Sequence, residues 1–108
     1  MSRLPIPTLE TAPPASRPML EGVKRQLSIV PNMYRLMSVS PASLEGYLAL
    51  FRSLSNGRLS PQTRNRIALA IAEIDSCDYC LSAHTYIGRH LLRLDEHGSE
   101  GERRSTLT

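Results

Sequence analysis

Apolar residues recur at helical spacing in five separate stretches of this chain, and serine and proline signals divide one stretch from the next. After Ser16, placed as an N-cap, Pro18 falls in the first turn and Met19, Val23 and Leu27 follow at i, i+4 and i+8 with Leu20 beside them. This predicts a first helix ending near Ser28. Pro31 biases Val30 away from helical angles and Asn32 can cap a helix starting after it, so Ile29 to Asn32 reads as a connector. Met33, Leu36, Met37 and Val39 then make a short second helix.

Ser40-Pro41 is a stop-and-start signal, with Ser40 as N-cap and Pro41 at the first helical position. The third predicted helix runs to about Leu54 and carries Leu44, Tyr47, Leu48, Phe51 and Leu54 on one face. Ser55-Asn56-Gly57 closes it, with Asn56 or Gly57 expected in the left-handed conformation. Ser60-Pro61 repeats the cap-and-proline device. Beyond Arg66, Ile67, Ala68, Leu69, Ala70, Ile71, Ala72 and Ile74 are apolar, which predicts a fourth helix buried nearly all round and central to a bundle. Asp75 or Ser76 is expected to cap a fifth helix from about Cys77 to Leu92, with Leu81, Ala83, Ile87, Leu91 and Leu94 as apolar contacts. Gly88 costs about 1 kcal/mol against alanine inside a helix, which points to close packing there.

The two ends lack this periodicity. Residues 1–15 hold Pro5, Pro7, Pro13 and Pro14 and read as an extended arm, free or packed on a neighbouring subunit. Residues 16–94 read as one helical domain, and residues 95–108, with no apolar side chain from Asp95 to Arg104, as a disordered polar tail. A chain of 108 residues with no Trp and 5% aromatic content suits an all-α domain with a core of Leu, Ile, Val, Ala and Met.

Charge narrows the function classes only a little. The net charge is +3, but the arginines are scattered and no run of five like charges occurs, so no nucleic-acid partner is expected. No stretch approaches the roughly twenty apolar residues of a membrane span, and prolines and Glu10 interrupt the N-terminal segment where a signal core would lie. The expected location is cytoplasmic, with no membrane partner. In a reducing compartment a close cysteine pair is more often catalytic or metal-binding than a structural staple.

That pair carries the candidate chemistry. Both cysteines fall in Cys77-Asp78-Tyr79-Cys80-Leu81-Ser82-Ala83-His84, and on a helix Cys77, Cys80 and His84 share one stripe. The constellation suits redox chemistry or metal binding. In the redox reading Cys77 gains thiolate character from a helix N-terminus, His84 takes the proton of Cys80, and Cys77 resolves a sulfenic acid on Cys80 by closing a disulfide. In the metal reading Cys77, Cys80 and His84 are zinc ligands with His90 or His97 as the fourth. One helical stripe argues against it, because tetrahedral sites usually draw ligands from two segments.

Leu59-Ser60-Pro61-Gln62-Thr63-Arg64, the run Ile67 to Glu73, and Cys77 to Thr85 together resemble the AhpD-like alkylhydroperoxidase branch of the carboxymuconolactone decarboxylase family. The resemblance is close over residues 59 to about 90 and looser over 16–58. It implies an all-α, AhpD-like helical bundle that forms homo-oligomers, and a thiol peroxidase acting on hydroperoxides. It also implies that Cys80 attacks the peroxide, Cys77 resolves, and His84 works in a proton relay with a glutamate from the preceding helix. The implied reductant is a dithiol, in some members on a lipoyl-bearing protein, and no metal, flavin or haem cofactor is implied.

Two positions depart from that pattern. The relay glutamate usually follows an arginine, one place after Arg64, where this chain has Asn65. Glu73, one turn before Cys77, is the nearest carboxylate in sequence and the expected substitute. Helical patterning also stops near Leu94, whereas family members continue with helical sequence, so a C-terminally truncated member is expected. These departures suggest a further alternative, an inactive oligomeric scaffold of the same fold.

Overall fold

The computed structural model describes residues 3–92. The predicted polar tail at 95–108, with His97, lies outside the described residues. Among the described residues five α-helices succeed one another in chain order, α1 (Arg17–Leu27), α2 (Asn32–Met37), α3 (Pro41–Ser55), α4 (Pro61–Ile74) and α5 (Asp78–Tyr86). A 3-10 turn, Pro14–Ser16, precedes α1, and a π-helical turn, Ile87–Leu91, continues α5. No strand occurs among the described residues, and the fold is all-α. The described residues divide into two compact units, one up to Asn56 and one from Gly57.

In the first unit the core gathers on Ala12, Leu20 and Leu44, with Leu9, Met19, Val30, Tyr34, Met37 and Leu48 packed against them. The proline-rich segment therefore contributes Leu9 and Ala12 to the core. It does so through a turn in which Thr8 and Thr11 bond each other's backbone N–H through their side-chain oxygens (2.8 and 3.1 Å). Arg17 fastens this turn to α1 by donating to the carbonyls of Ala12 (3.1 Å) and Glu10 (2.8 Å).

Ser16 stands at the N-cap of α1 but makes no capping bond with its side chain. Its hydroxyl, fully buried, donates instead to the Ser38 carbonyl at 2.7 Å, tying the start of α1 to the end of α2. Ser16 is itself in a helical conformation (φ −84°, ψ −22°), whereas a residue that caps through its side chain is extended, and its buried hydroxyl finds its acceptor in a carbonyl. One further expectation about helix ends is corrected. Asn56 has φ −87° and no described glycine has positive φ, so α3 ends without a left-handed residue. Helix α1 does end on a left-handed residue, Ser28, with φ 68°.

The proline-coupled caps form as expected. Ser40 Oγ accepts from Ser43 N–H (3.2 Å) and Ser60 Oγ from Thr63 N–H (3.1 Å), each ahead of a proline that needs no N–H partner. The third helix buries Leu44 and half-buries Tyr47 and Leu48, while Phe51 and Leu54 are exposed. Tyr47 meets Tyr34 edge-on at 5.8 Å between ring centroids and stacks on Phe51 at 6.4 Å.

In the second unit α4 packs on α5 and on the π turn. It is not covered all round as its composition predicts. Asn65, Leu69 and Ala72 are buried at i, i+4 and i+7, whereas Ile67 (44%), Ile71 (53%) and Ile74 (65%) form an exposed stripe at the same spacing. Gly88 is buried in the π turn, in line with the close packing its presence implied.

Candidate functional site

The connection from α4 to α5 is three residues long and positions both cysteines. Asp75 ends α4 in a helical conformation and Ser76 takes a left-handed one, φ 53°. Neither caps α5. Cys77 does: it is extended (φ −91°, ψ 98°) and its Sγ accepts from Cys80 N–H at 3.2 Å. Ser76 is taken up by the turn that reverses the chain, and its left-handed backbone is not the extended one an N-cap needs. Cys77 N–H in turn donates to the Ala72 carbonyl at 2.9 Å, so the cap residue is held at both ends.

The two cysteines are joined in a disulfide with Cα atoms 5.3 Å apart, within the ordinary span of such bonds. One sulfur stands at the N-terminus of α5 and the other in its first turn, both half-buried. Positive potential at a helix N-terminus stabilises a thiolate, and the N–H aimed at Cys77 Sγ adds to it. Asp78, also in the first turn, is exposed and opposes that potential.

His84 lies four residues after Cys80 on the same helix, hence on the same face. It is half-buried, and loss of solvent around the ring lowers its pKa below the ordinary histidine value. At neutral pH it is therefore the uncharged imidazole, a proton acceptor. Asn65 clamps it from α4: the Asn65 side-chain oxygen lies 2.8 Å from His84 Nδ1, and the Asn65 amide nitrogen donates to the His84 carbonyl at 3.0 Å. Asn65 itself is buried at 4% exposure.

Position 65 is thus the point that sequence reasoning located without seeing the contact made there. It marked a relay group as missing, whereas Asn65 is the partner that His84 Nδ1 engages. The available signal was the register itself, since a position expected to face the histidine in one side-chain type faces it in another. Glu73 is half-buried in the last turn of α4, eight residues and about 12 Å of helix rise beyond Asn65. The group on His84 Nδ1 is Asn65 and not Glu73.

Helix α5 leaves α spacing directly after this site. The π turn closes with Leu92 N–H donating to the Ile87 carbonyl at 2.9 Å, and such turns are frequent at functional positions. On this part of the chain Tyr86 and His90 pack ring on ring at 4.6 Å. They also line an open hollow of about 490 Å³ with Asp78, Ser82 and Arg89. Among the described residues no cluster of three or more His, Cys, Asp or Glu side chains is arranged to hold a metal ion. No described helix is long and apolar enough to cross a membrane.

Residues 41–93 match the model of the carboxymuconolactone decarboxylase family, a span that contains Asn65, Cys77, Cys80 and His84. No curated protein matches the chain.

Proposed function

Since residues 41–93 belong to the carboxymuconolactone decarboxylase family, we propose that this protein is a thiol peroxidase of the AhpD-like kind, reducing hydroperoxides through Cys77 and Cys80. The observation that carries the reading is the pairing of Cys77 with Cys80 at the start of α5, one turn ahead of a neutral, clamped His84.

The cycle balances in three steps. His84 takes the Cys80 thiol proton, and the thiolate attacks the hydrogen-bearing terminal oxygen of the peroxide; the O–O bond breaks, Cys80 becomes a sulfenic acid and the alkoxide leaves. His84 returns the proton to the alkoxide, giving the alcohol. Cys77 then attacks Cys80 sulfur, the S–O bond breaks, and the disulfide and one water form. An external dithiol, on a lipoyl-bearing protein in the reading we favour, restores both thiols by exchange and is itself oxidised. No step calls on a metal, flavin or haem.

Cys80 is assigned the attack because His84 shares its face, and Cys77 the resolving role because the helix N-terminus supports its thiolate. In the zinc alternative both sulfurs would be metal-bound thiolates, a state distinct from the disulfide observed. A dithiol cycle of this kind fits a reducing compartment such as the cytoplasm. A homo-oligomer fits the exposed stripe of Ile67, Ile71 and Ile74, which a second copy would remove from water.

The assignment is tested with the reduced single-cysteine variants, one equivalent of an organic hydroperoxide and a sulfenic-acid trap. Cys77→Ser should retain a trapped sulfenic acid on Cys80, and Cys80→Ser should consume no peroxide. Equal peroxide consumption by the two variants would contradict the division of roles.

A further inference from the structure

Resting on that reading, we propose that Asn65 is a positioning residue that fixes His84 as the Nδ1–H tautomer, so that Nε2 is the base and the proton path ends at His84. The amide can sit in only one orientation. The His84 carbonyl can only accept a hydrogen bond, so the group 3.0 Å from it must be the Asn65 NH2. The Asn65 oxygen therefore faces His84 Nδ1, at 2.8 Å. That oxygen has no proton to give, so Nδ1 must carry the hydrogen. The neutral ring is left with its lone pair on Nε2.

The clamp is well supported. Asn65 is buried to 4% exposure between two partners, both on His84, and sits one helical turn from fully buried Leu69. Rotating the amide would set the Asn65 oxygen against the His84 carbonyl oxygen, losing that bond and opposing two acceptors whichever tautomer the ring takes. The rotated state is therefore not a competing arrangement.

The proton balance explains why a carboxylate behind the histidine is dispensable. In O–O cleavage the proton that leaves the Cys80 thiol is the one the departing alkoxide requires. His84 carries it from sulfur to oxygen through Nε2 and ends neutral, as it began. Asn65 accepts from Nδ1–H throughout, in the imidazole and the imidazolium alike, and exchanges nothing.

The test is nitrogen-15 NMR of the imidazole of His84 in the reduced protein, at a pH where the ring is neutral. The ring's two nitrogen shifts distinguish the tautomers without any peroxide, so the result is independent of whether the protein turns over. The wild-type spectrum should show a protonated Nδ1 and a bare Nε2. Asn65→Asp, whose carboxylate also accepts from Nδ1–H, should keep that pattern and move the His84 titration to higher pH. Asn65→Leu should shift the ring towards Nε2–H and lower the rate of Cys80 oxidation at least tenfold. A wild-type ring protonated on Nε2 would overturn the proposal by itself, even if Asn65→Leu failed to fold. An unchanged tautomer in a folded Asn65→Leu protein would overturn it too. Peroxide-independent thiols with the expected tautomer would instead reject the peroxidase reading and leave the clamp standing.

Discussion

Replacing Cys77 with alanine or with serine separates its role as a helix cap from its role as a thiol. Both variants lack the disulfide, so any contribution of the short Cys77–Cys80 loop cancels between them. The difference lies in the acceptor for Cys80 N–H, at present Cys77 Sγ at 3.2 Å. Serine keeps an acceptor, and a stronger one than sulfur, on a residue whose extended backbone (φ −91°, ψ 98°) suits an N-cap. Alanine leaves that N–H to water or without a partner. An N-cap change of this kind is worth about 0.5–2 kcal/mol, typically about 1. For a chain of this size that is roughly 4 °C or more in melting temperature. Thermal melts of the two variants under reducing conditions, monitored by helical circular dichroism, should therefore place Cys77→Ser above Cys77→Ala by that margin. The same pair of substitutions at Cys80 should show no serine advantage, because Cys80 lies inside the helix where serine is no better than alanine. Equal melting temperatures for the two Cys77 variants would refute the cap. The support for the Cys77 thiolate would then have to come from elsewhere.

The packing and the site set further expectations. Leu69→Ala empties a fully buried position on α4 and should cost about 2–5 kcal/mol in urea unfolding, whereas Ile74→Ala on the exposed stripe should cost far less in the monomer. Because burial lowers the His84 pKa, the unfolded chain binds its proton more readily than the folded one. The stability His84 contributes is then complete above the unfolded value, about 6.5, and is lost as pH falls through the lower folded value. His84→Gln should correspondingly flatten the decline in unfolding midpoint between pH 7.5 and 5, and an unchanged slope would contradict the shift. Glu73→Gln should leave the rate of peroxide consumption within about twofold while His84→Gln lowers it at least tenfold, since Asn65 and not Glu73 engages His84. A rate loss in Glu73→Gln as large as in His84→Gln would restore Glu73 to the relay.

Most of the helical framework was legible because its signals are local. Ser40-Pro41 and Ser60-Pro61 each combine a side-chain acceptor with a residue that has no N–H, and both caps form as the spacing predicts. The covering of each helix could not be read locally. The apolar run of α4 has the same composition on all sides, and only its packing on α5 and the π turn decides that Leu69 and Ala72 are buried while Ile67, Ile71 and Ile74 are not. Ser16 illustrates the same limit. Its sequence context marks a cap, but its backbone joins the 3-10 turn in a helical conformation, and its hydroxyl donates to the Ser38 carbonyl.

The candidate site divides along the same line. The shared stripe of Cys77, Cys80 and His84 needs only helical spacing. The cap residue was misplaced by one or two positions, because sulfur is a weak acceptor and Asp75 or Ser76 looked the better choice. Asn65 needed a second helix at a known register before its two bonds to His84 could be seen. An asparagine where a carboxylate was expected looked like a loss of chemistry. In place it is a stricter constraint on the histidine than a carboxylate would be, because its amide also fixes the backbone carbonyl of the same residue.

The dithiol cycle is tested most directly by a thiol count on the fully reduced protein before and after one equivalent of an organic hydroperoxide. Two thiols per chain should disappear, with recovery on adding a dithiol and with Cys77 and Cys80 found joined by peptide mapping. A thiol count unchanged by the peroxide would contradict the peroxidase reading and leave a helical scaffold carrying a cysteine pair.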